Sequence, residues 1–302
     1  MTATSFRNIL ETLPQQAVKQ ALYNAFVAED RADAERIAGA LEQLGDTESK
    51  ISDSQRGGNY DLNRYSNVVP FNANRVHLSG KSDYINASRI SLPKITANQY
   101  IATQGPLNHS IGDFWRMVWE QGAKAVVMLA NPKESLRTKC AVYWPEKTAS
   151  SMRLGDVTVT LIDERPMQDC LSVIVRKLEL MHSAHPGELR VVTQMHYTEW
   201  PDHGVPQSPL PILRIAHELR STVSPTPEAP VVVHCSAGVG RTGTFIVIDA
   251  ARSYFGQNDD YPGDLVLDAF TALRAQRTLM VQTFAQFMMC YQVAGFIVNE
   301  KR

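Results

Sequence analysis

Residues 231–245 read Val-Val-Val-His-Cys-Ser-Ala-Gly-Val-Gly-Arg-Thr-Gly-Thr-Phe, and no other stretch constrains the chain as strongly. A short apolar run bounded by small residues is a buried strand, and a helical pattern follows the loop directly. A strand–loop–helix unit of this kind turns successive backbone N–H groups toward one point at a helix N-terminus, which makes an anion cradle. Gly238 and Gly240 let the backbone curl tightly. Arg241 adds a planar fork of donors suited to two phosphate oxygens. Cys235 stands at the base of the cradle, where the N–H groups, the helix dipole and the arginine favour its thiolate. A nucleophilic sulfur facing a bound phosphate is the arrangement that a cysteinyl-phosphate intermediate requires.

Two other readings overlap this loop. Gly238-Val-Gly-Arg-Thr-Gly243 formally matches the dinucleotide fingerprint, with Asp259 and Asp260 following. Arg241 inside the motif, the cysteine before it and the absence of regular βαβ units argue against a dinucleotide. A Walker A loop fails because Gly243 is followed by Thr244 rather than by Lys-Ser/Thr. No papain-like signature surrounds Cys235.

Around the loop, strand and helix signals alternate. Residues 100–103, 125–129, 140–143 and 157–162 predict strands, and 172–180 and 189–197 predict longer ones. Residues 111–121, 209–221, 242–255 and 284–298 predict helices. Near the N-terminus, Val18, Ala21, Leu22 and Ala25 recur at helical spacing beside Phe26. A second helical run over 32–44 ends at Gly45, a plausible terminating glycine. Residues 49–63 are polar and turn-rich and predict an exposed connector, and 224–230 predict a proline-rich loop. The expected fold class is α/β of the α+β type: a twisted, largely mixed sheet flanked by helices. The expected organisation is an N-terminal helical segment, residues 1–50, packed on a catalytic domain, residues 51–302.

Composition narrows the setting. A chain of 302 residues with 44% apolar residues and formal net charge −1 builds a core and has no bulk affinity for nucleic acid. No apolar run reaches the roughly 20 residues of a membrane span, and no secretory signal is expected in the first 30 residues. The four cysteines, Cys140, Cys170, Cys235 and Cys290, are too scattered for a disulfide framework, so a reducing compartment is expected.

The loop Cys235 to Arg241, embedded in HCSAGVGRTG, resembles the signature of the classical, phosphotyrosine-specific protein tyrosine phosphatases. The resemblance extends from about Asn63 to the C-terminus, and it implies hydrolysis of phosphotyrosine in proteins. In Trp200-Pro-Asp-His-Gly-Val-Pro206, Asp202 matches the general acid that protonates the leaving phenolate and then acts as base on water. Gln282 matches the glutamine that positions that water, and Gln286 the second glutamine of the same motif. Thr242 takes the hydroxyl position that stabilises the departing thiolate. His234 matches the histidine that holds the loop and tunes the cysteine. Ser236, Ala237, Gly238, Val239 and Gly240 supply the phosphate-binding backbone. Asn63-Arg-Tyr65 resembles the substrate loop: Tyr65 would stack on the phosphotyrosine ring, with Val68 on its other side. The depth of that slot selects phosphotyrosine over phosphoserine. Glu134 and Lys139 match a loop flanking the site, where Glu134 pairs with Arg241. Residues 83–88 and 103–106 match scaffold motifs, Arg274 and Arg277 match arginines before Gln282, and Cys140 is expected to be a buried structural thiol. No cofactor and no metal are expected, since the cradle and Arg241 supply the positive field. Reversible oxidation of Cys235 by peroxide is expected.

Three departures stand out. Asn67 replaces an acidic residue that grips the substrate backbone, so it accepts a hydrogen bond without charge. Ser66 stands where an arginine favours acidic neighbours of the phosphotyrosine. Leu279 stands where a glycine opens a second phosphotyrosine pocket in some members, so no preference for doubly phosphorylated peptides is expected. The alternatives are a catalytically dead phosphotyrosine-binding module and a broader phosphatase. The complete set of Cys235, Arg241, Asp202 and Gln282 argues against the first, and the Tyr65 match against the second. A cytoplasmic enzyme is expected, with a bacterial effector delivered into a host cell as the alternative. Oligomeric state is left open.

Overall fold

The computed structural model describes residues 5–42, 50–80, 82–201, 204–223, 226 and 228–300. Helices α1 (Phe6–Thr12) and α2 (Gln16–Glu42) precede strands β1 (Arg75–His77), β2 (Tyr84–Ser91) and β3 (Gln99–Thr103). Helix α3 (Ile111–Glu120), strand β4 (Ala125–Met128) and a small hairpin of β5 (Lys133–Glu134) and β6 (Arg137–Thr138) follow. The meander β7 (Ser151–Leu154), β8 (Val157–Met167), β9 (Cys170–His182) and β10 (Leu189–Tyr197) leads to α4 (Leu210–Thr222). The chain closes with β11 (Val231–His234), α5 (Gly240–Gln257), α6 (Leu265–Gln276) and α7 (Phe284–Asn299).

Nine strands form one mixed sheet in the order β1-β2-β3-β11-β4-β10-β9-β8-β7. The centre is parallel: β11 pairs with β3 and β4, and β4 pairs with β10. Both flanks are antiparallel. Every residue of β11 is fully buried, which is why it reads as unbroken Val-Val-Val rather than alternating. Its side chains divide by the strand period of two. Val231 and Val233 join the core under α4–α7, while Val232 packs with Phe114 and Trp115 of α3 on the other face. Helix α5 is enclosed nearly all round, from Thr242 through Ala251. Phe245, Ile246, Val247 and Ile248 are each wholly buried there, a gain of about 1.5–3 kcal/mol per side chain. The cysteine loop therefore sits between two immobile elements.

Several sequence expectations change. Residues 140–143 are not a strand. Cys140, Ala141 and Tyr143 are buried, but the Ala141 N–H donates to the Pro106 carbonyl and Trp115 Nε1 to the Tyr143 carbonyl. The apolar run there reports burial without strand pairing. The two N-terminal helical runs are one helix, α2, because no residue breaks the backbone between them. Gly45, the expected stop, lies outside the described residues. The stretch read as an exposed connector holds two 3₁₀ turns, Ser52–Gln55 and Gly57–Leu62, with Ile51, Ser52 and Ser54 buried. Aromatic rings join α1 and α2 to the C-terminal helices: Phe6 stacks on Phe255 and Tyr291, and Phe26 on Phe270. None of the described helices is long and apolar enough to cross a membrane.

Candidate active site

The loop between β11 and α5 has its carbonyls occupied from outside. The Cys235 carbonyl accepts from His234 Nδ1 at 3.0 Å and the Ser236 carbonyl from the Gly105 N–H at 2.9 Å. Arg277 takes the next two, with Nη2 to the Ala237 carbonyl at 3.1 Å and Nε to the Gly238 carbonyl at 2.9 Å. The Val239 carbonyl accepts from the N–H groups of Gly243 and Val281. Among the described residues, the N–H groups of Ser236, Ala237, Gly238 and Val239 have no acceptor. Buried N–H groups rarely go unpaired, so a curled loop of orphan donors is built to receive an anion.

Two glycines permit the curl. Gly238 has φ +73°, and a Cβ there would lie 2.1 Å from the Thr103 carbonyl oxygen. A Cβ on Gly240 would lie 3.0 Å from Gln286 Oε1 and 3.2 Å from Gln282 Cβ.

The cradle opens into a cavity of about 370 Å³. Cys235 and Arg241 line it together with Tyr65, Asn67, Val68, Glu134, Lys139, Ser236, Ala237, Gly240, Gln282 and Gln286. Gly204 and Thr283, which the sequence reading passed over, also line it. Gly238, Val239, Thr242 and His234 do not line the cavity; the last three are fully buried. Thr242 Oγ1 donates to Cys235 Sγ at 3.4 Å. Asp202 lies outside the described residues. Pro201, just before it, accepts from Arg241 Nη2 at 3.2 Å.

Arg241 is held as a fork. Its Nη1 donates to Glu134 Oε1 at 2.7 Å and to the Leu129 carbonyl at 2.9 Å, and its Nη2 to Glu134 Oε2 at 2.8 Å. Glu134 stands on the β5–β6 hairpin and also caps the Asn131 N–H.

Beneath the loop, Arg277 is wholly buried, and none of its hydrogen-bond partners among the described residues is acidic; Asn86 and Ser88 on β2 also accept from it. Burial pushes its guanidinium down to about 10, against the pull of Tyr84 and Cys235. A positive charge is thus fixed under the cradle. His234 is also wholly buried, and burial pushes its imidazole down to about 4. Since a carbonyl must accept from Nδ1, Nε2 accepts from the Tyr143 hydroxyl at 2.8 Å. This neutral histidine is a brace between two elements.

The segment that brings Tyr65 to the cavity is anchored by Arg64 and Asn63. Arg64 donates from Nε to the Gly105 carbonyl at 3.0 Å and from Nη2 to the Pro106 carbonyl at 2.8 Å. Asn63 Oδ1 accepts from Tyr84 and Asn86. Tyr65 is thereby placed over the cradle, and its hydroxyl donates to Ser236 Oγ at 2.9 Å, because Ser236 Oγ itself donates to the Lys139 carbonyl. Across the cavity, Gln286 Oε1 accepts from the N–H groups of Gln282 and Thr283 and completes the capping box of α7. Gln286 thus fixes the backbone of Gln282, whose side chain is exposed to the cavity.

All four cysteines are free and buried. Cys140 is 1% exposed and burial pushes its thiol up to about 12.

A family model described as protein-tyrosine phosphatase matches residues 59–295. Receptor-type tyrosine-protein phosphatase C of Mus musculus is 41% identical over 250 residues, covering 80% of this chain and 18% of the relative. Tyrosine-protein phosphatase non-receptor type 4 of Homo sapiens is 42% identical over 233 residues, covering 76% of this chain and 24% of the relative. Receptor-type tyrosine-protein phosphatase F of Mus musculus is 41% identical over 241 residues, covering 78% and 12%. The matched stretch is less than a quarter of the length of each of these curated relatives.

Proposed function

Because the chain belongs to the protein-tyrosine phosphatase family, we propose that it hydrolyses phosphotyrosine in proteins through a cysteinyl-phosphate intermediate. The observation that carries this reading is that Cys235 and Arg241 line one cavity at a loop four of whose N–H groups lack acceptors among the described residues. The Cys235 thiolate attacks phosphorus in line with the tyrosyl oxygen. The S–P bond forms as the P–O bond breaks, and Asp202 gives its proton to the departing phenolate. The orphan N–H groups and Arg241 take up charge on the equatorial oxygens, with no reorganisation at the moment of reaction. In the second step Asp202 removes a proton from the water that Gln282 positions. The water oxygen bonds to phosphorus, the S–P bond breaks, and Thr242 stabilises the returning thiolate.

Tyr65 and Val68 set the depth of the slot, so a phenyl phosphate reaches Cys235 and the shorter phosphoserine does not. The same thiolate in an open cavity is a target for peroxide, with recovery by thiol. Free, buried cysteines suit a reducing compartment such as the cytoplasm.

Phosphate release from two peptides identical except for phosphotyrosine or phosphoserine tests the reading, without added metal and with Cys235→Ser alongside. Release from the phosphotyrosine peptide only, abolished by the substitution, is expected. Tight binding without turnover would mean a recognition module, and equal release from both peptides would refute the depth argument.

A further inference from the structure

Helix α2 lies outside the stretch matched to the family and sends one carboxylate into the loop that carries Gln282. Asp33 is 1% exposed. Its Oδ2 accepts from the Leu279 N–H at 2.6 Å, from Thr278 Oγ1 at 3.0 Å and from Arg274 Nη1 at 3.1 Å. Arg274, wholly buried, also gives Nη1 to Asp30 at 3.0 Å and turns Nε and Nη2 on the same loop. Its Nε reaches the Met280 carbonyl at 2.7 Å and its Nη2 the Val281 carbonyl at 3.1 Å. The loop then meets the cradle through the Val281 N–H and the Val239 carbonyl at 3.2 Å.

Leu279 and Val281 have φ of 57° and 56°, a left-handed backbone that side chains with a Cβ resist. Such conformations persist where the surroundings over-determine them. Asp33 and Arg274 supply those contacts on either side of Met280. Asp33 does not line the cavity, so it acts on chemistry through the loop alone.

We propose that Asp33 is a positioning residue for the second half-reaction, holding residues 278–281 so that Gln282 places the hydrolytic water. This rests on the phosphatase reading above. Formation of the cysteinyl phosphate uses Cys235, Arg241 and Asp202, none of which is on this loop. Arg277 keeps its own anchors on Asn86 and Ser88. The Val239 carbonyl is also held by the Gly243 N–H at 2.7 Å, so the effect falls mainly on breakdown of the intermediate.

The test is rapid-mixing kinetics of the full chain on p-nitrophenyl phosphate, comparing wild type, Asp33→Asn, Asp33→Ala and Cys235→Ser. Wild-type turnover with a silent Cys235→Ser establishes the phosphatase reading independently of Asp33. Because kcat/KM reports steps only as far as the intermediate, it also controls for folding of each variant. In Asp33→Ala, kcat is expected to fall about 10-fold or more, as for a group displaced by roughly an ångström. Its kcat/KM should hold within about two-fold, with a nitrophenolate burst near one equivalent per active site. Asp33→Asn, which keeps an acceptor, should fall between. Equal losses in kcat and kcat/KM, absence of a burst, or a lowered melting temperature with unchanged kcat would each overturn the inference. A silent wild type would remove the phosphatase reading and this inference with it.

Discussion

Glu134 grips Arg241 with both carboxylate oxygens, Nη1 to Oε1 at 2.7 Å and Nη2 to Oε2 at 2.8 Å. The side chains are 11% and 7% exposed for Arg241 and Glu134, so the pair is well shielded from water. The carboxylate occupies one edge of the guanidinium and fixes its plane toward the cavity. Glu134→Ala is expected to lower kcat/KM on a phosphotyrosine peptide by about 10- to 100-fold through misplacement of Arg241. Glu134→Gln keeps one acceptor and should lose less. Steady-state kinetics on both variants check the order, and equal activity of Glu134→Ala and wild type would contradict it.

Two glycine-to-alanine changes should have opposite signs. At Gly238, φ is +73° and the new Cβ would overlap the Thr103 carbonyl, so a loss of more than about 3 kcal/mol is expected. Gly39 lies within α2 with nothing within 4 Å of the added atom. Gly39→Ala should stabilise by up to about 1 kcal/mol. Urea unfolding of each variant measures both changes.

His234 is held neutral in the fold, with its imidazole near 4 against 6.5 when unfolded. Between those values the unfolded chain binds the extra proton, so stability falls as pH drops from 6.5 to 4. This site contributes roughly 3 kcal/mol of that loss. Buried His196, pushed down to about 3 by burial and by Arg176, extends the loss to lower pH. Urea midpoints across this range should fall with pH, and less steeply for His234→Gln. A flat wild-type profile would contradict the assignment.

A second phosphate bound beside Gln282 would find Arg274 already committed. That arginine is wholly buried and paired with Asp30 at 3.0 Å and Asp33 at 3.1 Å, and Leu279 is half-buried against the core. A peptide with two phosphotyrosines should be hydrolysed with nearly the same kcat/KM as one with a single phosphotyrosine. A large gain specific to the second phosphotyrosine would contradict this.

Much of the site was legible because its chemistry is local. Residues 231–245 announce strand, loop and helix in one run, since β11 is buried on both faces and the loop needs small residues. The long strands β8, β9 and β10 were also visible, although β8 and β9 extend beyond their apolar centres. Residues 140–143 misled because burial and strand pairing leave the same pattern. The roles of Arg277, Arg64 and Asp33 had no local signal. Each acts on carbonyls or N–H groups far away in sequence, and an arginine that holds a loop looks in sequence like any other. Tyr143 joined to His234 is a tertiary pairing of the same kind.

On the proposed mechanism the phosphoryl group passes through Cys235. The most direct measurement is rapid acid quenching during turnover of a phosphotyrosine peptide, followed by digestion and mass mapping of the enzyme. One added phosphoryl group is expected on the peptide containing Cys235, absent from Cys235→Ser and lengthened in lifetime by Gln282→Ala. Turnover that continues in Cys235→Ser, or a phosphoryl group found on another residue, would contradict it.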